Sequence, residues 1–431
     1  MAKKIFTFLS LLIVASMMLA ACGGGTQVPE STQVPESTQV PESTQVLEST
    51  KVPESNQVPE ECTTDPKGCA VIKPGETIKI GMGGPMTGDY ASFGKDISQG
   101  GQIAIDDLGT IDSWKFELVT EDTQGAPEAG AAVANKWATD PTLVAVAGHI
   151  FSGETEAAMP IYEKAGIPML SPSATNPDLT KSGSPVFNRI VFTDSVQSQR
   201  AAEYLYKKLG IKSLAVMHDG QAFGQALASA TGKTFQELGG TVVVTQAITP
   251  GEADYSAALA AVAAAKPQAI YYGGYDAEAA VLVNGMKVAG LEGVIFFGCD
   301  GTYGENFLKL AGANAEGAYA AVPFPADSPA KQKFDQTYET KWGVKAGVLS
   351  PYSWNGYDSV AALITMVKQV AIKGNDGNLY VPRETLVKAV RGMKDLTFIT
   401  GNITCDPTGE CNTVGPTFYI VKDGKWVQAP E

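Results

Sequence analysis

Few residues in this 431-residue chain are placed to do covalent chemistry. His149 stands three residues ahead of Ser152, a base beside a nucleophile, but no G-x-S-x-G elbow surrounds Ser152 and no third member is evident. The only other histidine is His218, and each of the two follows or ends an apolar run, where a hydrogen-bonded structural role is the default. The run Gly81-Met82-Gly83-Gly84-Pro85-Met86-Thr87-Gly88 follows a strand-like segment, yet its glycines do not match G-x-G-x-x-G and Pro85 removes a donor that a phosphate would want. No P-loop, H-E-x-x-H or calcium-loop pattern occurs, so nothing along the chain argues for an enzyme, a cofactor or a metal.

Other clusters suit a small zwitterion held without change. In Gly148-His149-Ile150-Phe151-Ser152-Gly153 the spacing predicts a strand end followed by a helix, with Ser152 as N-cap. The open N–H groups behind it attract a carboxylate, although a serine there also does no more than cap its helix. Ser171-Pro172-Ser173-Ala174-Thr175-Asn176-Pro177 is a stiff, hydroxyl-rich loop whose carbonyls and threonine hydroxyl suit an ammonium group, and a plain turn uses similar residues. Further along, Tyr271 to Asp276 ends a strand with aromatics and glycines, and Gly298-Cys299-Asp300-Gly301 ends the next. Asp300 is either the counter-charge to an ammonium or part of an ordinary Asp-Gly turn. Phe223 stands at another helix start, in His218-Asp219-Gly220-Gln221-Ala222-Phe223-Gly224.

These loops fall at the ends of alternating elements. Strands are expected at 78–82, 116–120, 143–147 and 168–170, with helices at 96–107, 127–139 and 154–165 between them. After a break at 171–193 the alternation resumes, with helices at 198–209, 223–238, 255–265 and 277–289 and strands at 214–217, 242–245, 269–272 and 294–297. Such chaining gives parallel sheets with helices on both faces, hence an α/β protein of two doubly wound lobes with a central cleft. Ligands in such sheets bind beyond the carboxyl ends of the strands, where the polar clusters lie. The tail reads as helices at 331–341, 352–373 and 383–390, then short strands with a turn at Asp423-Gly424.

The N-terminal 61 residues are of another kind. Lys3 and Lys4 precede an apolar run from Ile5 to Met18, the pattern of a secretory signal over 1–21, and Leu19-Ala20-Ala21-Cys22 resembles the lipobox of bacterial lipoproteins. That resemblance implies acylation of Cys22 and an extracytoplasmic chain anchored to the cell membrane by lipid. Six proline-rich hexads from Thr26 to Glu61 complete a tether over 22–61, able to extend on the order of 100 Å at about 3.1 Å per residue. The composition also fits a glycosylated or adhesive stalk. Beyond residue 61 the net charge is −10 of the total −14, which disfavours nucleic acid. Cys62 with Cys69, and Cys405 with Cys411, bracket Asp-Pro and Gly turns and are expected to form disulfides. A four-thiolate zinc site is the competing reading, and Cys299 is left as a buried thiol.

The strings IKIGMGGPMTG, GHIFSGET, SPSATNPDLT, HDGQAFGQAL, YYGGYDAEA and AGANAEGAY follow one another in the order seen in the leucine/isoleucine/valine-binding proteins of ABC importers. The resemblance spans roughly Thr77 to Val427 and implies the type I periplasmic-binding-protein fold. It further implies that Ser152 and Thr175 bind an α-carboxylate, that Ser173, with Ala174 beside it, and Asp300 hold the α-ammonium, and that Phe93, Phe223 and Tyr275 line the side-chain pocket, with Tyr352 or Trp354 nearby. Three interlobe crossings are implied, placing 77–194 and 324–394 in lobe one, 195–323 and 395–431 in lobe two, and 62–76 in a disulfide-containing connector.

The chain departs from the family in four places, one of them Asp276 after Tyr275, where an aromatic is common. Asp300 stands for a glutamate, Phe223 for a tyrosine, and Phe151 for one half of a disulfide whose other half is missing near Gln124. The expected function is that of a monomeric extracytoplasmic receptor. It would deliver an unaltered amino acid, of branched-chain aliphatic type, to an ABC permease in the membrane. The alternative is a sensor of small amides or aromatic acids.

Overall fold

The computed structural model describes residues 58–411 and 415–430. The signal, Cys22 and the repeats up to residue 57 lie outside the described residues. Among those described, no helix is long and apolar enough to cross a membrane.

Two sheets organise the chain. The first runs in the order Thr110–Ile111, Trp114–Asp122, Ile78–Gly84, Leu143–Val146, Met169–Ser171, Phe187–Arg189, parallel except for its first pair. The second has five parallel strands, Thr241–Ala247, Ser213–His218, Ala269–Gly273, Ile295–Phe297 and Tyr319–Val322, and ends in the antiparallel hairpin Thr417–Lys422 and Lys425–Gln428. Asp423 and Gly424 turn that hairpin with φ of 51° and 69°, as a two-residue turn between twisted strands requires. In each sheet the first parallel strand lies inside, with later strands added to both sides. That order opens a crevice at the carboxyl ends of the strands.

Three of these strands were not expected, the short edge strand Thr110–Ile111 among them. Phe187–Arg189 lies in the predicted break, because Asn188 and Arg189 carry no apolar pattern, yet both are fully buried. Tyr319–Val322 is half alanine, a helix-favouring composition that burial in the sheet overrides. The helix expected at 198–209 starts earlier, as Asp194–Glu203 behind the Thr193 cap, and its last turn widens to a π-helix over Tyr204–Lys208.

The helix Ser353–Val370 returns to the first lobe and packs along Ala91–Leu108. Two glycines permit the close approach: a Cβ on Gly100 would stand 2.1 Å from the Ser353 carbonyl oxygen, and one on Gly356 2.3 Å from that of Ile97. Asp96 is buried in this contact and accepts hydrogen bonds from Tyr338 Oη (2.8 Å), Ser350 Oγ (2.7 Å) and Ser353 Oγ (2.6 Å).

Two segments expected outside the first lobe bond to it. The expected connector at 62–76 bonds to segments placed in that lobe: the strand Cys69–Ile72 pairs with Leu379–Pro382, and Asp65 accepts the N–H groups of Glu384 and Thr385 at the start of the helix Arg383–Arg391. Past the expected boundary at 395, the segment up to Cys411 still bonds to residues of the first-lobe elements. Asp358 accepts the N–H groups of Ile399 (3.0 Å) and Thr400 (2.7 Å), and the Cys411 N–H donates to the carbonyl of Arg189. Cys62 is bonded to Cys69 and Cys405 to Cys411, and Cys299 is a buried thiol.

Candidate functional site

The strand ends of the two lobes face each other across one small cavity. From the first lobe Phe93, Ile150, Phe151, Ser152 and Ser173 line it, joined by Tyr352 at the start of the returning helix. Phe223, Tyr275, Asp300 and Gly301 line it from the second lobe. Six of the eight expected binding residues therefore share one wall. Ala174 and Thr175 stand behind it: the Ala174 carbonyl accepts Arg189 Nη1 (2.8 Å), and the Thr175 carbonyl accepts the Asp194 N–H (3.0 Å). Trp354 lies elsewhere, donating to Asp335 Oδ1 (2.7 Å) and packing on Phe324.

Ser152 is the first residue of the helix Ser152–Ala165, and the cap is Phe151, contrary to the expected placing. The reason is Glu154, whose Oε1 accepts the Phe151 N–H (2.7 Å) while its other oxygen accepts Thr123 Oγ1, so no serine cap is needed. Ser152 Oγ instead accepts the Asn176 N–H (3.3 Å), joining the helix mouth to the loop that carries Ser173. The ring of His149 is turned away from Ser152, with Nε2 2.9 Å from Tyr162 Oη, and burial lowers its pKa to about 3. That pair therefore forms no nucleophile and base.

Asp300 opens a 3-10 turn, Asp300–Thr302, opposite the helix mouth. Gln197 Nε2 donates to its Oδ1 (2.6 Å), its own N–H donates back to Gln197 Oε1 (3.1 Å), and Tyr352 Oη donates to its Oδ2. Burial raises its pKa, and those side-chain hydrogen bonds oppose the shift. Asp194 is buried nearby; burial, then the charge of Asp300, raises its pKa well above the usual carboxylate range, opposed by Thr175, Arg189 and Gln197. Gln197 gave no signal in the sequence. It sits one turn into a helix, and only the fold brings it to a residue 103 positions away.

Aromatic rings fill the rest. Tyr275 stacks on Phe151 at 4.2 Å between centroids and 20° between planes, with Phe93 edge-on to Phe151 at 5.5 Å and Phe223 tilted against Tyr275 at 5.4 Å. The lobes are also joined at the mouth, where Tyr90 Oη donates to Glu278 Oε1 (3.0 Å) and Asn176 Nδ2 to the Ala222 carbonyl (2.9 Å). The enclosed space is small: a water molecule's centre can move through about 10 Å³ of it, room for about one water. Among the described residues no three His, Cys, Asp or Glu are grouped to hold a metal.

Glu154 makes the helix mouth sensitive to pH. Burial, helped by the charge of Asp122, raises its pKa from 4.5 to about 8 against the opposing hydrogen bonds. The folded chain thus holds a proton there that the unfolded chain releases, so this group's contribution to stability is full below about pH 4.5 and is lost as pH rises through about 8. Glu154→Gln keeps the shape and stays neutral. Its melting temperature relative to the wild type is expected to rise by about 2 °C or more between pH 5 and pH 8.5, corresponding to about 1 kcal/mol. A difference that is flat with pH in thermal melts would show that Glu154 is ionised in the folded chain.

The comparisons with known proteins fit this geometry. A family model described as periplasmic binding protein matches residues 77–425. The Leu/Ile/Val-binding protein of Escherichia coli is 32% identical over 292 residues, 67% of this chain and 78% of that protein. The chain belongs to the leucine/isoleucine/valine-binding protein family. A leucine-, isoleucine-, valine-, threonine- and alanine-binding protein of Pseudomonas aeruginosa is 33% identical over 261 residues, 60% of this chain and 69% of that protein. Among solved structures, the leucine-binding protein LivK of Thermotoga maritima has a TM-score of 0.74 at 27% identity, covering 82% of this chain and 98% of that one. The isoleucine complex of LivJ from Streptococcus pneumoniae has a TM-score of 0.71 at 28% identity, covering 81% and 98%. The two lobes around a cleft are thus the type I fold of this periplasmic-binding family, whose members work outside the cytoplasm as solute-binding proteins.

Proposed function

We propose that this family member binds a free α-amino acid with a neutral, apolar side chain and passes it unaltered to an ABC permease. The class includes the branched-chain amino acids. One observation carries the reading: the Ser152 helix mouth and the Asp300 carboxylate face each other across a cavity whose lining, Ser173 and Gly301 aside, is apolar or aromatic. A helix N-terminus favours the α-carboxylate, a buried carboxylate favours the α-ammonium, and the rings exclude a charged side chain. Ser152 and Ser173 serve the charged groups, Ala174 and Thr175 shape the loop from behind, and Phe93, Phe223 and Tyr275 contact the side chain. The chain acts as a monomer, held at the membrane by a lipid on Cys22.

A thermal-shift panel of the twenty amino acids, small amides and benzoates tests the function. A ligand bound only by the folded chain stabilises it by about 2.7 kcal/mol at a hundred times its dissociation constant, so an apolar amino acid is expected to raise the melting temperature by several degrees. A rise with an amide or benzoate and none with any amino acid would favour a sensor of those compounds instead.

A further inference from the structure

We infer that Phe151 sets the size limit of the side-chain pocket and selects the smallest apolar amino acids, alanine and glycine, over leucine and phenylalanine. This rests on the amino-acid reading given above. The ring lines the cavity beside Ser152, packed against Phe93 and Tyr275, which the reading above gives to the ligand's side chain. It has little freedom to move. The Phe151 N–H and carbonyl are tied to Glu154 Oε1 (2.7 Å) and the Thr155 N–H (3.0 Å). Gly125, at a φ of 76°, lies so close beneath that a Cβ there would stand 2.9 Å from the ring. Tyr90 and Phe93 meet it edge-on at 5.7 and 5.5 Å, and its remaining face is covered by Tyr275 at 4.2 Å.

With room for about one water in the cavity, every further atom of a guest must part the rings or the lobes. The two charged groups of an amino acid do so with compensation from Ser152 and Asp300, whereas each added side-chain carbon does so against the Phe151–Tyr275 stack. The stack is an interlobe contact, so a bulky side chain also opposes closure of the lobes over the ligand.

Titration calorimetry of the full chain with glycine, alanine, leucine and phenylalanine tests this, alongside Phe151→Ala and the milder Phe151→Leu. The wild type is expected to bind alanine at least tenfold more tightly than leucine, and Phe151→Ala to shift the leucine-to-alanine ratio at least tenfold toward leucine. Should the alanine variant fail to fold, Phe151→Leu and the wild-type ratio carry the test. Leucine or phenylalanine bound as tightly as alanine by the wild type would overturn the size limit and leave the amino-acid reading standing. An unchanged ratio in the variants would overturn the assignment to Phe151. No binding of any amino acid would defeat the function proposed above, and the size limit with it.

Discussion

Arg189→Met is expected to destabilise the folded chain by about 3–5 kcal/mol, a large part of the roughly 5–15 kcal/mol that holds a typical domain. Arg189 is fully buried, and its guanidinium meets Glu410 through two hydrogen bonds of 2.9 and 2.7 Å. Its other donors reach the carbonyls of Ala174 and Asn176, both at 2.8 Å, and Thr180 Oγ1 at 3.0 Å. Removing it leaves a partly buried carboxylate uncompensated and the Ala174 carbonyl without a partner, which accounts for the magnitude. The same change unfastens the loop that carries Ser173, so ligand affinity should fall as well. Denaturant unfolding checks the stability, and a midpoint within experimental error of the wild type would mean that Glu410 finds another partner. Glu410→Gln, which keeps hydrogen-bonding capacity while removing the charge, should cost less than Arg189→Met.

Asp300→Ala should weaken ligand binding about tenfold to a hundredfold. A hydrogen bond to a charged group is worth about 1.5–3 kcal/mol, and the substitution removes the carboxylate proposed to meet the ligand's ammonium. It also strips Gln197 Nε2 and Tyr352 Oη of their acceptor, so the wall itself loses its order. Asp300→Asn separates the two effects, because an amide still accepts from Tyr352 but carries no charge. If charge dominates, both variants lose affinity alike, and if the wall's order dominates, asparagine is the milder. Calorimetry with the best amino acid from the thermal panel reads the outcome, and wild-type affinity in both variants would remove Asp300 from the site.

Much of the fold was legible because its strands are short apolar runs between Ala-rich helical stretches, and the expected elements from Ile78 to Phe297 recur within a few residues of their places. Among the strands that escaped, Phe187–Arg189 and Tyr319–Val322 owe their state to neighbours in the sheet and not to their own composition. Legibility of the site followed a similar line. Ser152, Ser173, Phe223, Tyr275 and Asp300 lie at strand ends, where polar or aromatic residues interrupt an apolar run, and such interruptions show in one dimension. Ala174 and Thr175 look the same in sequence as Ser173, yet the pull of Arg189 and the Asp194 N–H turns their carbonyls into the lobe.

By itself the amino-acid order determined the parallel two-lobe architecture and the loops able to meet a ligand, because periodicity and turn chemistry act over a few residues. Only the tertiary structure decided which of those loops share a wall, that Gln197 and Tyr352 hold Asp300, and that Phe151 lies against Tyr275. Those contacts join residues tens to more than a hundred positions apart. They arise from burial and hydrogen-bond satisfaction in the assembled lobes, which local spacing does not encode.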